Sequence, residues 1–160
     1  SNAENMSSLE NGAKICLLGK EYTVRITTEN RAVLTENEIV LPSGLERQAF
    51  EKLTYKLLRA YIVPRTEEIA TKNGLKYNGI SITSARTRWG SCGAGDTLNF
   101  SRALVFMPPS VVDYVVCHEL CHTREKNHSA RFYALVKSIC PDYKEAERVL
   151  KLRAAVMNYL

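Results

Sequence analysis

All three histidines of this 160-residue chain lie within one eleven-residue window that begins at His118 and ends at His128. His118 and His122 are four residues apart, so on a helix their imidazoles project from successive turns and can approach one metal ion. Glu119 follows His118 directly, which places a carboxylate beside that ion without making it a ligand. A carboxylate there can deprotonate a metal-activated water. The pattern therefore predicts a hydrolytic metal site with Glu119 as its general base.

The third histidine can join this site only if the helix ends soon after His122. In an unbroken helix, His128 would lie six residues further along and would be rotated away from the other two. Residues 123–127 are all polar, and Asn127 tolerates the left-handed conformation that often ends a helix. We therefore predict a turn there, after which His128 returns as third ligand and leaves a fourth position for water.

The cysteines are predicted to be reduced and to play no part in metal binding. There are five, an odd number, without a paired C-x-x-C framework, which favours free thiols and a cytoplasmic location. Cys117 and Cys121 flank the histidines, but each lies about 100° away from its histidine neighbour on a helix. We expect both to be buried packing residues.

Both strands and helices are expected around this site, which predicts an α+β fold class. Alternating apolar residues over 13–41 indicate a small antiparallel sheet. A capping-box pattern at residues 43–46 predicts a helix over about 44–63, which Pro64 kinks or stops, and a further helical piece to about residue 72 before Asn73-Gly74.

The second half of the chain is expected to hold a hairpin followed by helices. Strands over 80–87 and 97–106 are predicted to pair through the glycine-rich turn 90–96. The helix that carries the histidines should begin after Pro108, with Ser110 and Asp113 as its capping box. Two shorter helices are predicted over about 129–139 and 143–158, the latter capped by Asp142.

Composition and charge indicate one globular domain of ordinary type. The chain is 45% hydrophobic and 24% charged, and its net charge of +5 is spread without a basic block. Nucleic acid is thus possible as a partner but not indicated. No apolar run is long enough to span a membrane, so no membrane partner is expected. We predict a tag remnant and flexible N-terminus over 1–12 and a single domain over 13–160, with strands over 13–41 and the helical, catalytic part over 43–160.

The motifs resemble those of the YgjP-like family of zinc-dependent hydrolases over most of residues 13–157. The shared elements are Arg-x-Arg-Trp-Gly-Ser-Cys at 86–92, Leu98-Asn99, His-Glu-Leu-x-His at 118–122, Asn-His-Ser at 127–129 and Pro-Asp-Tyr at 141–143. The resemblance implies a zincin-like metallopeptidase fold, related to SprT-like proteases. It also implies Zn²⁺, or another divalent metal, on His118, His122 and His128. Glu125 replaces the glycine that metzincins carry at this place, so membership of the metzincins is not expected.

Three functions remain open at this level. A metallopeptidase would hold its peptide along an edge strand around residues 88–91, whereas a nucleoside triphosphate pyrophosphohydrolase, an activity also attributed to the family, would need basic phosphate partners. The third function is a metal-containing binding module without catalysis. The candidate phosphate partners are Arg86, Arg88, Arg124, Lys126 and Arg131. The candidate substrate-binding residues for either hydrolase are Arg86, Arg88, Ser91 and Arg131.

Three aromatic residues near these motifs also have two readings. Trp89 is expected to pack in the core and not to serve as a stacking platform. Tyr133 and Tyr143 could donate hydrogen bonds to a transition state, but aromatic residues on amphipathic helices usually belong to the core.

Overall fold

The computed structural model describes residues 9–159, and these form an α+β arrangement, as predicted. The strands are β1 (Lys14–Leu17), β2 (Lys20–Thr27), β3 (Val33–Leu34), β4 (Glu38–Pro42), β5 (Gly79–Thr83), β6 (Gly90–Cys92) and β7 (Thr97–Ser101). The helices are α1 (Glu46–Asn73), α2 (Pro109–Cys121), α3 (Ala130–Ile139) and α4 (Tyr143–Leu152). Short 3-10 turns cover Ala94–Asp96, Arg102–Phe106 and Ala154–Tyr159.

The first sheet has the strand order β1-β2-β4-β3 and is mixed, not antiparallel. β1 pairs antiparallel with β2, but β2 and β4 run parallel, with Val24 opposite Ile39. The antiparallel prediction is wrong for this central pair. Residues 28–37 carry the chain from the end of β2 back to the level of its start, so β4 runs in the same direction as β2. The short strand β3 lies on the outer side of β4, so β4 enters beside β2 in the same direction. Residues before β1 join this sheet, since the Asn11 Oδ1 accepts from the Ile26 N–H.

α1 is one continuous helix of 28 residues, so it does not stop at Pro64 and no separate second helical piece follows. Proline removes the hydrogen bond to the carbonyl of Ala60, but both residues are exposed, and water can satisfy that carbonyl. The helix begins at Glu46, later than the capping box requires, so the Ser43 side chain does not cap it. It ends at Gly74 as predicted, with a left-handed φ of 63°.

The second sheet has the order β5-β7-β6, and the predicted hairpin between β5 and β7 is wrong. β5 and β7 are parallel, whereas β6, which lies inside the supposed glycine-rich turn, pairs antiparallel with β7. Gly93–Asp96 reverse the chain between β6 and β7, so β5 must take the other side of β7. β7 ends early because Ser101 Oγ accepts from the Ala103 N–H and starts a 3-10 turn.

α2 is almost entirely buried and carries the His-Glu-x-x-His motif at its C-terminal end. Pro109 occupies its first turn, but the predicted capping box is not formed, because Pro108 takes the N-cap position and has no side chain that can accept. Asp113 instead accepts from the Tyr61 hydroxyl at 2.6 Å and from Arg65 at 3.1 Å. These contacts fix α2 against α1.

The two C-terminal helices differ in how they begin. α3 agrees with its predicted bounds of about 129–139, and Ser129 caps it, with its Oγ accepting from the Phe132 N–H at 3.3 Å. Asp142 stands at the N-cap of α4 without a side-chain hydrogen bond, so the predicted cap is wrong, and the helix ends at Leu152 instead of about 158. Among residues 9–159 no helix combines the length and apolar composition needed to cross a bilayer.

Candidate metal centre

The structure brings the side chains of the three histidines together. The Nε2 atoms of His122 and His128 are 3.0 Å apart, and those of His128 and His118 are 3.3 Å apart. One nitrogen from each ring lies within 4.8 Å of the others. α2 ends at Cys121, and hydrogen-bonded turns follow it over residues 122–125, which overlap the predicted turn region of 123–127. His128 thus returns to the end of α2 immediately before α3.

The chemistry of the three donor atoms and two of their three separations fit a zinc ion. Tetrahedral zinc with Zn–N bonds of about 2.0–2.1 Å requires its nitrogen ligands to be about 3.3–3.4 Å apart. Two of the Nε2 separations are 3.0 and 3.3 Å, close to that requirement. Burial, followed by the neighbouring histidines, lowers the pKa of His118 to about 4, so its ring is neutral at pH 7. A neutral imidazole is the form that binds metal.

A backbone hydrogen bond fixes which nitrogen of His122 faces the cluster. The Nδ1 of His122 lies 3.0 Å from the carbonyl oxygen of Glu125. A carbonyl can only accept, so Nδ1 carries the proton and donates it. The lone pair of Nε2 then points to the other two histidines. The turn after α2 therefore orients this histidine as well as returning His128.

The ring of Phe132 packs against the rings of all three histidines, although its residue type does not indicate this role. Its ring is fully buried and stacks on His122 with a centroid distance of 4.3 Å and an interplanar angle of 20°. It also contacts His118 and His128, with centroids 5.0 and 5.1 Å away. Its place four residues after His128, in the first turn of α3, is a sequence signal that could have indicated it.

Glu119 is buried next to the histidines, with 6% of its surface exposed. Burial raises the pKa of its carboxyl to about 7, while the positive charge of Arg88 acts in the opposite direction. Gly90 of β6 lies directly against it: a Cβ at that position would be 3.0 Å from the Glu119 Oε2 and 3.1 Å from the Asn99 carbonyl oxygen. The absence of a side chain at Gly90 therefore leaves room for this carboxylate.

A cavity of about 300 Å³ opens in front of the histidines and Glu119. Arg88 and the residues of β6 line this cavity, and so does Lys126. A second cavity of about 400 Å³ adjoins it and shares Arg88, Gly90 and Ser91 as lining residues. Within the described part of the chain β6 pairs only with β7, so its other edge is open.

The candidate substrate-binding residues divide into two groups. Arg88 and Ser91 line both cavities. Arg86 lines neither, and Arg131 is on the surface, where its guanidinium pairs with Glu125 at 3.4 Å. The structure therefore brings two of the four to the centre.

Few of the candidate phosphate partners are available to an anion. Lys126 lines the cavity but forms an ion pair with Asp96 at 2.7 Å. Arg124 donates to the Gly74 carbonyl oxygen at 2.9 Å, away from the histidines. Of the five basic residues, only Arg88 and Lys126 line the cavity, which is not the basic cluster that a phosphate substrate would need.

The remaining predictions near the site concern packing. Cys117 and Cys121 are buried, as predicted, with 1% and 0% of their surface exposed, and all five cysteines are free thiols. Trp89 is partly buried and packs against the core. Tyr133 stacks on His128 at a centroid distance of 6.2 Å, and Tyr143 lies behind it.

Comparison with known proteins identifies the family. A family model described as the YgjP-like metallopeptidase domain matches residues 1–153. The chain belongs to the YgjP-like family. Members of the YgjP-like family are thereby placed among metal-dependent hydrolases of peptidase type, which implies a catalytic metal and a peptide substrate and lends no support to a nucleotide substrate.

A solved structure similar to this YgjP-like chain is the metallopeptidase zymogen of Methanocaldococcus jannaschii jannalysin. The two are 22% identical with a TM-score of 0.48, and the match covers 57% of this chain and 96% of that one. No curated protein matches the YgjP-like sequence significantly.

Proposed function

We propose that this protein is a zinc metallopeptidase in which His118, His122 and His128 hold the metal and Glu119 is the general base. The observation that carries this proposal is the convergence of three imidazole nitrogens within 4.8 Å of one another, beside a buried carboxylate. Three imidazole nitrogens suit zinc or another borderline divalent metal. When bound, the metal supplies Lewis-acid polarisation of a substrate carbonyl and a water of lowered pKa.

Glu119 would move the proton in this reaction. Its carboxylate accepts a proton from the attacking water and delivers it to the nitrogen of the departing amine. A pKa of about 7, raised by burial, suits a group that must both take and give a proton near neutral pH. Gly90 allows the carboxylate to occupy this position, because a side chain there would collide with it.

The peptide would lie along the open edge of β6. A substrate strand can pair there with backbone groups of residues 90–92, which places its amide in the cavity in front of Glu119. Arg88 and Ser91 line both adjoining cavities and are the residues we propose to contact the substrate. The open strand edge favours a peptide over a nucleotide.

The first test is the metal content of the protein purified without a nickel column. Elemental mass spectrometry should find about one zinc per chain, and His122→Ala should lose it. No bound metal after zinc is supplied would overturn the proposed function.

The second test separates metal binding from catalysis. Glu119→Gln should retain zinc but lose cleavage of a peptide library by about a hundredfold or more. Glu145→Gln is the matched control, because Glu145 is on the surface of α4 and pairs with Arg148. Turnover of nucleoside triphosphates in place of peptides would favour the pyrophosphohydrolase, and turnover of neither would favour the binding module.

A further inference from the structure

Tyr114 connects His118 to a carboxylate on another helix. It lies one turn before His118 on α2, and only 4% of its surface is exposed. Its hydroxyl oxygen is 3.1 Å from the Nδ1 of His118 and 3.0 Å from the Oε1 of Glu147, which belongs to α4. The three side chains therefore form one continuous hydrogen-bonded chain that ends on the histidine ring.

The direction of each hydrogen bond follows from the available protons. An ionised carboxylate has no proton, so the Tyr114 hydroxyl must donate to Glu147. The hydroxyl has only one proton, so it can only accept from His118, and Nδ1 must be the donor. If the tyrosine donated to His118 instead, two oxygens 3.0 Å apart would face each other without a proton between them.

Apolar residues next to Glu147 on α4 anchor this helix in the core. Ala146 and Leu150 are buried in the core, while Glu147 is half-buried and directed to Tyr114. Because α4 packs on α2 and its apolar residues are buried in the core, the carboxylate has a fixed position relative to Tyr114. The last helix thus supplies the end of the hydrogen-bonded chain.

We propose that Tyr114 and Glu147 are positioning residues that hold His118 in the tautomer protonated on Nδ1, with the Nε2 lone pair directed at the metal. This rests on the proposed function, in which His118 is a ligand. Hydrogen bonds of this kind fix the orientation of a ligand ring and raise its basicity, and their loss costs about 10- to 100-fold in metal affinity. His122 receives the same support from a backbone carbonyl, so both histidines of α2 are oriented by the protein.

The direct test is the tautomer of His118 in the full-length, metal-free protein. Nitrogen-15 NMR of histidine side chains distinguishes protonated from bare ring nitrogens, and the three histidines can be assigned with single His→Gln variants. At a pH where the rings are neutral, His118 should carry its proton on Nδ1. In Tyr114→Phe a substantial Nε2-protonated population should appear. A His118 protonated on Nε2 in the unmodified chain, or no change in Tyr114→Phe, would overturn the proposal.

Zinc affinity, measured by competition with a chelator, is the second readout. Tyr114→Phe and Glu147→Ala should each weaken zinc binding by about 10- to 100-fold. Glu147→Gln should restore most of the affinity, because its amide oxygen still accepts from the tyrosine. Equal losses in Glu147→Ala and Glu147→Gln would contradict a role through this hydrogen bond.

Tyr61→Phe is the matched control. Tyr61 also donates to a carboxylate on α2, that of Asp113 at 2.6 Å, but it contacts no histidine. It should leave zinc affinity and the His118 tautomer unchanged, and a loss of affinity equal to that of Tyr114→Phe would overturn the specific role of Tyr114. A chain that binds no zinc at all would contradict the proposed function, whereas the tautomer measurement judges the role of Tyr114 independently of metal.

Discussion

The position of the Glu119 carboxylate depends on its close approach to Gly90. The carboxylate lies in the narrow space between α2 and β6, where a Cβ on Gly90 would be 3.0 Å from its Oε2. The sequence predicts the role of Glu119 from its place in the motif, because helix geometry fixes the relative positions of residues that are close in the sequence. It does not predict the closeness of Gly90, since that contact depends on how β6 docks on the helix.

Replacement of Gly90 by alanine should therefore reduce catalysis without removing the metal. We expect Gly90→Ala to displace the carboxylate and lower kcat/KM for a peptide substrate by about 10- to 100-fold, with zinc content unchanged. Gly93→Ala is the control, because a Cβ there has no neighbour nearer than 3.8 Å. Equal activity in both variants would show that the close approach is not required.

Phe132 should contribute to both stability and metal affinity. Phe132→Ala is expected to lower the free energy of unfolding by about 3–5 kcal/mol and to weaken zinc binding, because the three imidazoles lose the ring beneath them. Urea denaturation and chelator competition measure the two effects. Leu58→Ala, at a fully buried position on α1, should lose stability but keep zinc affinity. An equal fall in zinc affinity in Phe132→Ala and Leu58→Ala would mean that the affinity depends only on the overall stability of the fold.

The helices could be predicted from sequence more accurately than the strands could. Helical spacing and a terminal glycine give the end of α1 at Asn73 and the region of α2, since both signals are local. Strand direction was not predictable, because the partner of β5 is β7 and the chain forms β6 between them. Pro64 is the exception among the helices, as its effect depends on whether the carbonyl of Ala60 faces water.

That exposed proline offers a test of the helix itself. Pro64→Ala should restore a hydrogen bond to the Ala60 carbonyl and raise the free energy of unfolding by about 1–3 kcal/mol, less the entropy that proline removes from the unfolded chain. Urea denaturation measures the change. Lys56→Ala, also exposed on α1, should change stability by less than about 0.5 kcal/mol. A destabilised Pro64→Ala would mean that the proline suits this helix better than we infer.

At the scale of the whole molecule, the core is built without the metal. Its buried side chains come from the first sheet, from β7 and from all four helices, and the histidines lie at its edge. A chain of 160 residues can bury about two-thirds of its unfolded surface, so we expect the fold to need no structural metal. This agrees with the proposed site, whose three protein ligands are the number found in catalytic zinc sites.

Metal removal should therefore leave the protein folded. We expect a chelator to leave the far-UV circular dichroism unchanged and to lower the free energy of unfolding only by the binding contribution, at most about 2.7 kcal/mol when zinc is at a hundred times its Kd. His122→Ala should show no zinc-dependent change in Tm. Loss of secondary structure on chelation would instead indicate a structural metal site.

The three proposed ligands are close together along the chain, because only nine residues lie between the first and the last. Bringing groups together over so short a distance costs little loop-closure entropy, and that cost rises only slowly with loop length. Residues 118–128 can therefore gather around zinc even in a chain whose sheets have not formed. Zinc held by the unfolded chain stabilises that state too, so the gain in folding stability is smaller than the affinity of the native site alone would give.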